Sequence, residues 1–158
     1  AAVIALPLVP VSVLGQTPIP AIDQAVRDQI GWPQYAAEVA AVYQAIPADG
    51  RARTVLIASN YGEAGALARY GPALGLPAPY SGHNALYALR RPPGSATTAV
   101  IVGAQLPDVR GGFGSCVIAG HLQDRSGVPN QEQGQPIAIC RDPRQPWHDL
   151  WPHFRHLG

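Results

Sequence analysis

Two runs of apolar, largely β-branched residues constrain this chain most: Thr54-Val55-Leu56-Ile57-Ala58 and Thr97-Thr98-Ala99-Val100-Ile101-Val102-Gly103. Neither alternates between apolar and polar positions. A strand with one wet face would alternate, so each run reads as a strand covered on both faces, as in parallel sheets. Between them, Gly62 to Leu74 reads as a helix stopped by Gly75-Leu76-Pro77, and APYS (78–81) as a short strand. Ahead of the first run, Gly31-Trp32-Pro33 opens another helix, with Pro33 suited to its first turn. Tyr35, Val39, Val42, Tyr43 and Ile46 lie on one stripe of that helix, and Pro47 ends it. Strands alternating with helices predict an α/β, three-layer, Rossmann-like domain with a mostly parallel sheet.

The carboxyl-terminal part changes character. A short helix or turn is expected near Pro107–Gly112. CVIAGHLQD (116–124) and PIAIC (136–140) then read as two antiparallel strands joined by RSGVPNQEQGQ. Pairing centred near Val128 sets Cys116 opposite Cys140, and cross-strand neighbours lie within disulfide reach. A bridge between them implies an oxidising, extracytoplasmic compartment. PWHDLWPHFRHLG predicts a terminal helix: Trp147, Leu150, Trp151, Phe154 and Leu157 form an apolar stripe, which Pro152 weakens.

Composition excludes several functions. A net charge of +1 supplies no field for nucleic acid, so no nucleic-acid partner is expected. With 47% hydrophobic and 13% charged residues, 158 residues bury the core of one domain, 1–158, and no disordered tail. All eleven basic residues are arginine, which a GC-rich genome explains more simply than function. The chain has no methionine and reads as an excised or processed piece. Its opening run, AAVIALPLVPVSVL, carries two prolines and falls short of the roughly 20 apolar residues of a membrane helix. It reads either as the stretch just beyond a membrane span or as an edge strand tolerant of proline. Thr17 to Pro33 is irregular, with one helical turn near Asp23–Gln29.

SNYGEAGALARYG (59–71) carries the first candidate chemistry. Glycines between a strand and a helix often hold an anion on free backbone N–H groups. Here the spacing is not GxGxxG, and no Lys-Ser/Thr follows, so no dinucleotide or triphosphate cofactor is expected. Gly65 is expected to face the preceding strand and permit close packing. Asn60 or Ser59 would cap the helix, and Glu63 suits its first turn. SGHN (81–84) ends the next strand, and ligands of open α/β sheets lie beyond the carboxyl ends of strands. If the two strands are neighbours, Asn60, Tyr61, Glu63, Ser81, His83 and Asn84 converge on one rim able to bind a sugar or phosphate. Ser81 and His83 are too close in sequence to act as nucleophile and base, and no GxSxG elbow exists. Arg90-Arg91 reads as a solvated loop. His153 and His156 read as an exposed polar face, and no Cys/His cluster at zinc spacing is present, so no metal site is expected.

The string YGEAGAL..YGPALGLP, then SGHN, then FGSC…GV.N.EQG.P…C, then PW..LWP…HLG resembles the carboxyl-terminal soluble region of bacterial glycosyltransferase family 39 proteins. These are polytopic membrane enzymes similar to protein mannosyltransferases and aminoarabinose transferases, and the pattern is nearest to actinobacterial members. The resemblance implies a parent that moves a sugar from a polyprenyl phosphate to an extracytoplasmic acceptor. It implies that residues 1–20 lead in from a preceding membrane span and that the domain lies on the extracytoplasmic side of the cell membrane. The membrane-embedded part of the same polypeptide would be its partner, and a glycan or polyprenyl phosphate its ligand. The family's catalytic acids belong to an early loop outside this chain, so no catalytic residue carries over. The chain departs from the pattern after SGHN, reading ALYALRRPPG where relatives have aromatic residues and a Trp-Gly-Pro-Pro run. Two other readings stand beside this one: an autonomous α/β enzyme or sugar- or nucleotide-binding domain using the same rim, and a purely structural or partner-binding module.

Overall fold

The computed structural model describes residues 10–14, 16–17, 31–123 and 130–157. Five strands form one sheet: β1 (Thr54–Ala58), β2 (Tyr80–Ser81), β3 (Thr98–Val102), β4 (Phe113–His121) and β5 (Pro136–Pro143), in the order β2-β1-β3-β5-β4. The first three are parallel, with Ala58 beside Ser81 and beside Val102. The β4/β5 hairpin joins β3 in antiparallel fashion. Cys116 and Cys140 are register partners and form a disulfide.

The unbroken apolar runs follow from cover on both faces. On one face, Leu56, Ala58, Val100, Val102 and Ile137 pack against α1 (Trp32–Gln44) and α2 (Tyr61–Tyr70). On the other, Val55, Ile57, Ala99, Ile101 and Ala138 meet the one-turn helix Leu106–Val109 and the closing segment, α3 (Trp147–Leu150) with its 3₁₀ continuation Trp151–Phe154. The stripe of α1 is buried as its spacing predicts, Ile46 included. Trp147 adds a buried hydrogen bond from Nε1 to the Ala96 carbonyl.

Four expectations change. Gly65 is exposed, with nothing within 4 Å of where a Cβ would stand, so it permits no close packing. The crowded glycines are elsewhere, at Gly71, Gly82 and Gly103. The helix starting at Tyr61 ends at Tyr70, before the 3₁₀ turn Pro72–Leu74, because Pro72 has no N–H to continue it. Of the hairpin strands, β4 begins earlier than expected, at Phe113, and stops at His121, while β5 begins at Pro136 as expected and continues to Pro143. Leu157 is 80% exposed, because the closing segment leaves its helix after Phe154.

Of the opening run, Val11–Leu14 forms a helical turn rather than a strand, and residues 1–9 lie outside the described set. The expected turn at Asp23–Gln29 also lies outside it, as does most of the hairpin tip, residues 124–129. No helix among the described residues is long and apolar enough to cross a membrane.

Candidate functional site

Strands β1 and β2 are neighbours, so the two polar segments do meet. Asn60 has extended backbone and caps α2, its Oδ1 accepting from the Glu63 N–H at 2.8 Å. The next helical N–H, of Tyr61, is taken by His83 Nδ1 at 3.2 Å. The Tyr61 and His83 rings stack with centroids 5.2 Å apart. His83 is 4% exposed and Tyr61 69%, so Tyr61 is the outer ring of the stack.

Because Nδ1 accepts, the neutral imidazole carries its proton on Nε2. Asn84 Nδ2 lies 3.1 Å from Nε2; with the proton on Nε2, the Asn84 amide must turn its oxygen to that position to accept it. Burial, with His156 adding to it, lowers the His83 pKa and favours this neutral form. Ser81 Oγ accepts from the backbone N–H of His83, at 3.2 Å, and not from its ring. Among the described residues, no nucleophile–base pair stands on this rim.

The sixth expected member does not share it. Glu63 is 2% exposed and points beneath the helix, where its Oε2 accepts from the Ser59 N–H at 2.7 Å. Ser59 Oγ donates to the Val102 carbonyl and accepts from Gln105 N–H, both at 3.0 Å. These residues fill the end of the sheet between β1 and β3. There the chain passes from β1 to one side and from β3 to the other, the position where open α/β sheets usually hold ligands. Gly103, at φ 93°, is pressed so close that a Cβ would lie 2.6 Å from both Glu63 Oε1 and Ser59 Oγ. The protein's own polar side chains therefore plug the crevice.

Burial pushes the Glu63 carboxyl up to about 8, Glu132 adding in the same direction and the Ser59 hydrogen bond opposing it. Near neutrality Glu63 is mostly a neutral acid, so the helix dipole does not explain it. The buried Tyr35 hydroxyl adjoins the carboxyl without a closed hydrogen bond, and both polar atoms of the Gln105 side chain are buried without partners. A cavity of about 20 Å³ beside Tyr35 has room for about one water.

Residues outside the expected set complete the rim. His156 stacks on the inner side of His83, centroids 5.0 Å apart. Its N–H donates to the Gly82 carbonyl and its carbonyl accepts from the Asn84 N–H. Arg90 is not simply solvated: its guanidinium donates to the Pro79 carbonyl and lies 4.6 Å from the Tyr80 ring centre. A shallow groove of about 300 Å³ runs from Tyr61 past Gly65 and Pro79 to Leu89 and Arg90. In the sequence His156 stands in the closing HLG of the resembling string and pairs with His153, and neither feature points to the rim. No group of three or more metal-ligating side chains gathers among the described residues.

Comparison of the chain with protein-family models, with curated proteins and with solved structures finds no match.

Proposed function

We propose that the chain is a non-catalytic, extracytoplasmic domain of a membrane-bound glycosyltransferase that uses a polyprenyl-phosphate sugar, and that it helps position acceptor or donor. The observation that carries this reading is the Cys116–Cys140 bridge, which suits an oxidising compartment. The rim adds support. His83, Asn84 and Ser81 spend their hydrogen-bonding groups on one another and on the backbone, which suits a binding surface better than a reaction centre. The exposed outer face of Tyr61 and the groove ending at Arg90 offer a stacking plane and a cation to such a ligand.

The test is titration of the chain with a short-chain polyprenyl-phosphate mannose, followed by NMR and by product analysis. The expected result is shifted resonances at Tyr61, Leu89 and Arg90 with no turnover. An undisturbed rim would remove the positioning role. A coding sequence with no membrane helices upstream would remove the membrane context.

A second reading, an autonomous α/β enzyme, rests on the buried acid Glu63 at the sheet's switch point, where Ser59 also receives the backbone N–H of Gln105. Turnover by the isolated chain, abolished by Glu63→Gln, would establish it instead.

A further inference from the structure

Among the described residues, β4 is the outer strand on its side of the sheet, and its middle is open in three directions. Val117 and Ile118 are neighbours in a strand and so point to opposite faces, yet both are more than half exposed, at 57% and 53%. The helical layers reach β4 only near its ends, Trp147 against Phe113 and Val42 beside Gly120, and leave Val117 and Ile118 open. Its third open direction is the row of backbone groups along the edge.

The register identifies those groups. Asp142 N–H donates to the Thr97 carbonyl, and the Pro136 carbonyl accepts from Gly103 N–H. Even-numbered residues of β5 therefore bond toward β3, and Cys140 and Ala138 follow by alternation. Their β4 partners, Cys116 and Ile118, stand at non-bonded pairs with β5, consistent with the 4.0 Å Cα separation of the two cysteines. Gly114, Cys116 and Ile118 thus turn N–H and C=O outward, while Ser115 and Val117 bond inward to β5.

Edge strands are normally guarded by charge, proline, brevity or a bulge. From Phe113 to His121 there is no Asp, Glu, Lys, Arg or Pro. The one irregularity, between Ile118 and Gly120, leaves Phe113–Ile118 in regular register with β5.

We infer that β4 is a docking edge for a second copy of this chain, paired antiparallel about a two-fold axis at Cys116. The edge accepts only an extended backbone, since its unmet groups are alternating donors and acceptors. A second β4 fits it for three reasons on this strand. It carries no formal charge to repel itself. A centre at Cys116 sets Gly114 opposite Ile118, so the largest side chain meets the smallest, with Ser115 opposite Val117. It also keeps both bulges outside the paired run. Each copy would cover the edge that the other leaves open, making one continuous sheet from two five-stranded ones. This inference does not depend on the glycosyltransferase reading.

The experiment is sedimentation of the oxidised chain over a concentration series, with hydrogen exchange read at single amides. The expected result is a dimer in which the Gly114, Cys116 and Ile118 amides become protected as concentration rises, while those of Ser115 and Val117 are protected throughout. Ile118→Lys, at an exposed position, should leave the circular dichroism spectrum unchanged and abolish the dimer. A monomer at every concentration overturns the inference. So does a dimer that survives Ile118→Lys or leaves those three amides exchanging freely, because it would use another surface.

Discussion

His83 Nδ1 accepts the Tyr61 backbone N–H while the rings of the same two residues stack at 5.2 Å. One imidazole thereby caps the first turn of α2 and supports the exposed ring above it. This bond needs Nδ1 unprotonated, and burial, with His156 adding to it, independently lowers the His83 pKa. The unfolded chain, with an ordinary value near 6.5, takes up a proton before the folded one does. The His83 contribution is therefore complete above about 6.5 and declines as pH falls below it. Denaturant titrations at stepped pH should show this acid-side loss in the native sequence and not in His83→Gln. If His83→Gln retains the same acid-side loss, the Tyr61–His83 bond is not its source.

Glu63 works in the opposite sense. Its folded value of about 8 lies above the ordinary 4.5, so its contribution is complete below 4.5 and is lost as pH rises through 8. Glu63→Gln keeps an oxygen for the Ser59 N–H and removes the ionisation. The variant should lack the decline between 4.5 and 8, a slope of up to about 1.4 kcal/mol per pH unit, and should be the more stable protein above pH 8. The same denaturant series measures it. A variant less stable than the native sequence at alkaline pH would contradict the buried-acid assignment.

Gly103→Ala should be severely destabilising. The substitution asks an L-residue to adopt φ 93° and sets its Cβ within 2.6 Å of Glu63 Oε1 and Ser59 Oγ. Backbone strain of about 1–3 kcal/mol is joined by disruption of the buried hydrogen bonds around Ser59. Gly65→Ala, where a Cβ meets open space, should be neutral or slightly stabilising through helix propensity. Thermal unfolding of the pair separates the crowded glycine from the free one.

Reduction of the Cys116–Cys140 bridge should lower stability by about 3 kcal/mol, the expectation for a loop of this length. Thiol labelling of unreduced protein should fail at both positions. Labelling of either cysteine without reductant would rule out the bridge and, with it, the main support for an extracytoplasmic location.

Much of the architecture was legible because it rests on local pattern. The runs around Leu56 and Val100 lack polar alternation, and both strands are indeed covered twice. Cys116 and Cys140 were placed opposite each other by the symmetry of the hairpin alone. The site was less legible because its geometry depends on phase and on distant segments. Asn60 capping sets the rotation of α2, and that rotation drives Glu63 inward while leaving Gly65 outside. A two-residue error in the helix start would exchange their roles. Gln105 and Tyr35 belong to other elements, and nothing near them in sequence advertises a buried carboxyl. His156 reaches the rim only through tertiary packing, which neither its spacing from His153 nor its place in HLG encodes.

The backbone clasp of His156 on Gly82 and Asn84 has a consequence for the order of events during synthesis. Strands β1 to β3 and helix α2 leave the ribosome well before residue 156, and domains tend to organise as they emerge. Until His156 arrives, however, one face of the His83 ring lacks its cover and the Gly82 carbonyl and Asn84 N–H lack their partners. The joint at the start of α2 is thus among the earliest parts of the domain to be made and among the last to be finished. A released chain truncated before Arg155 would carry this joint still open.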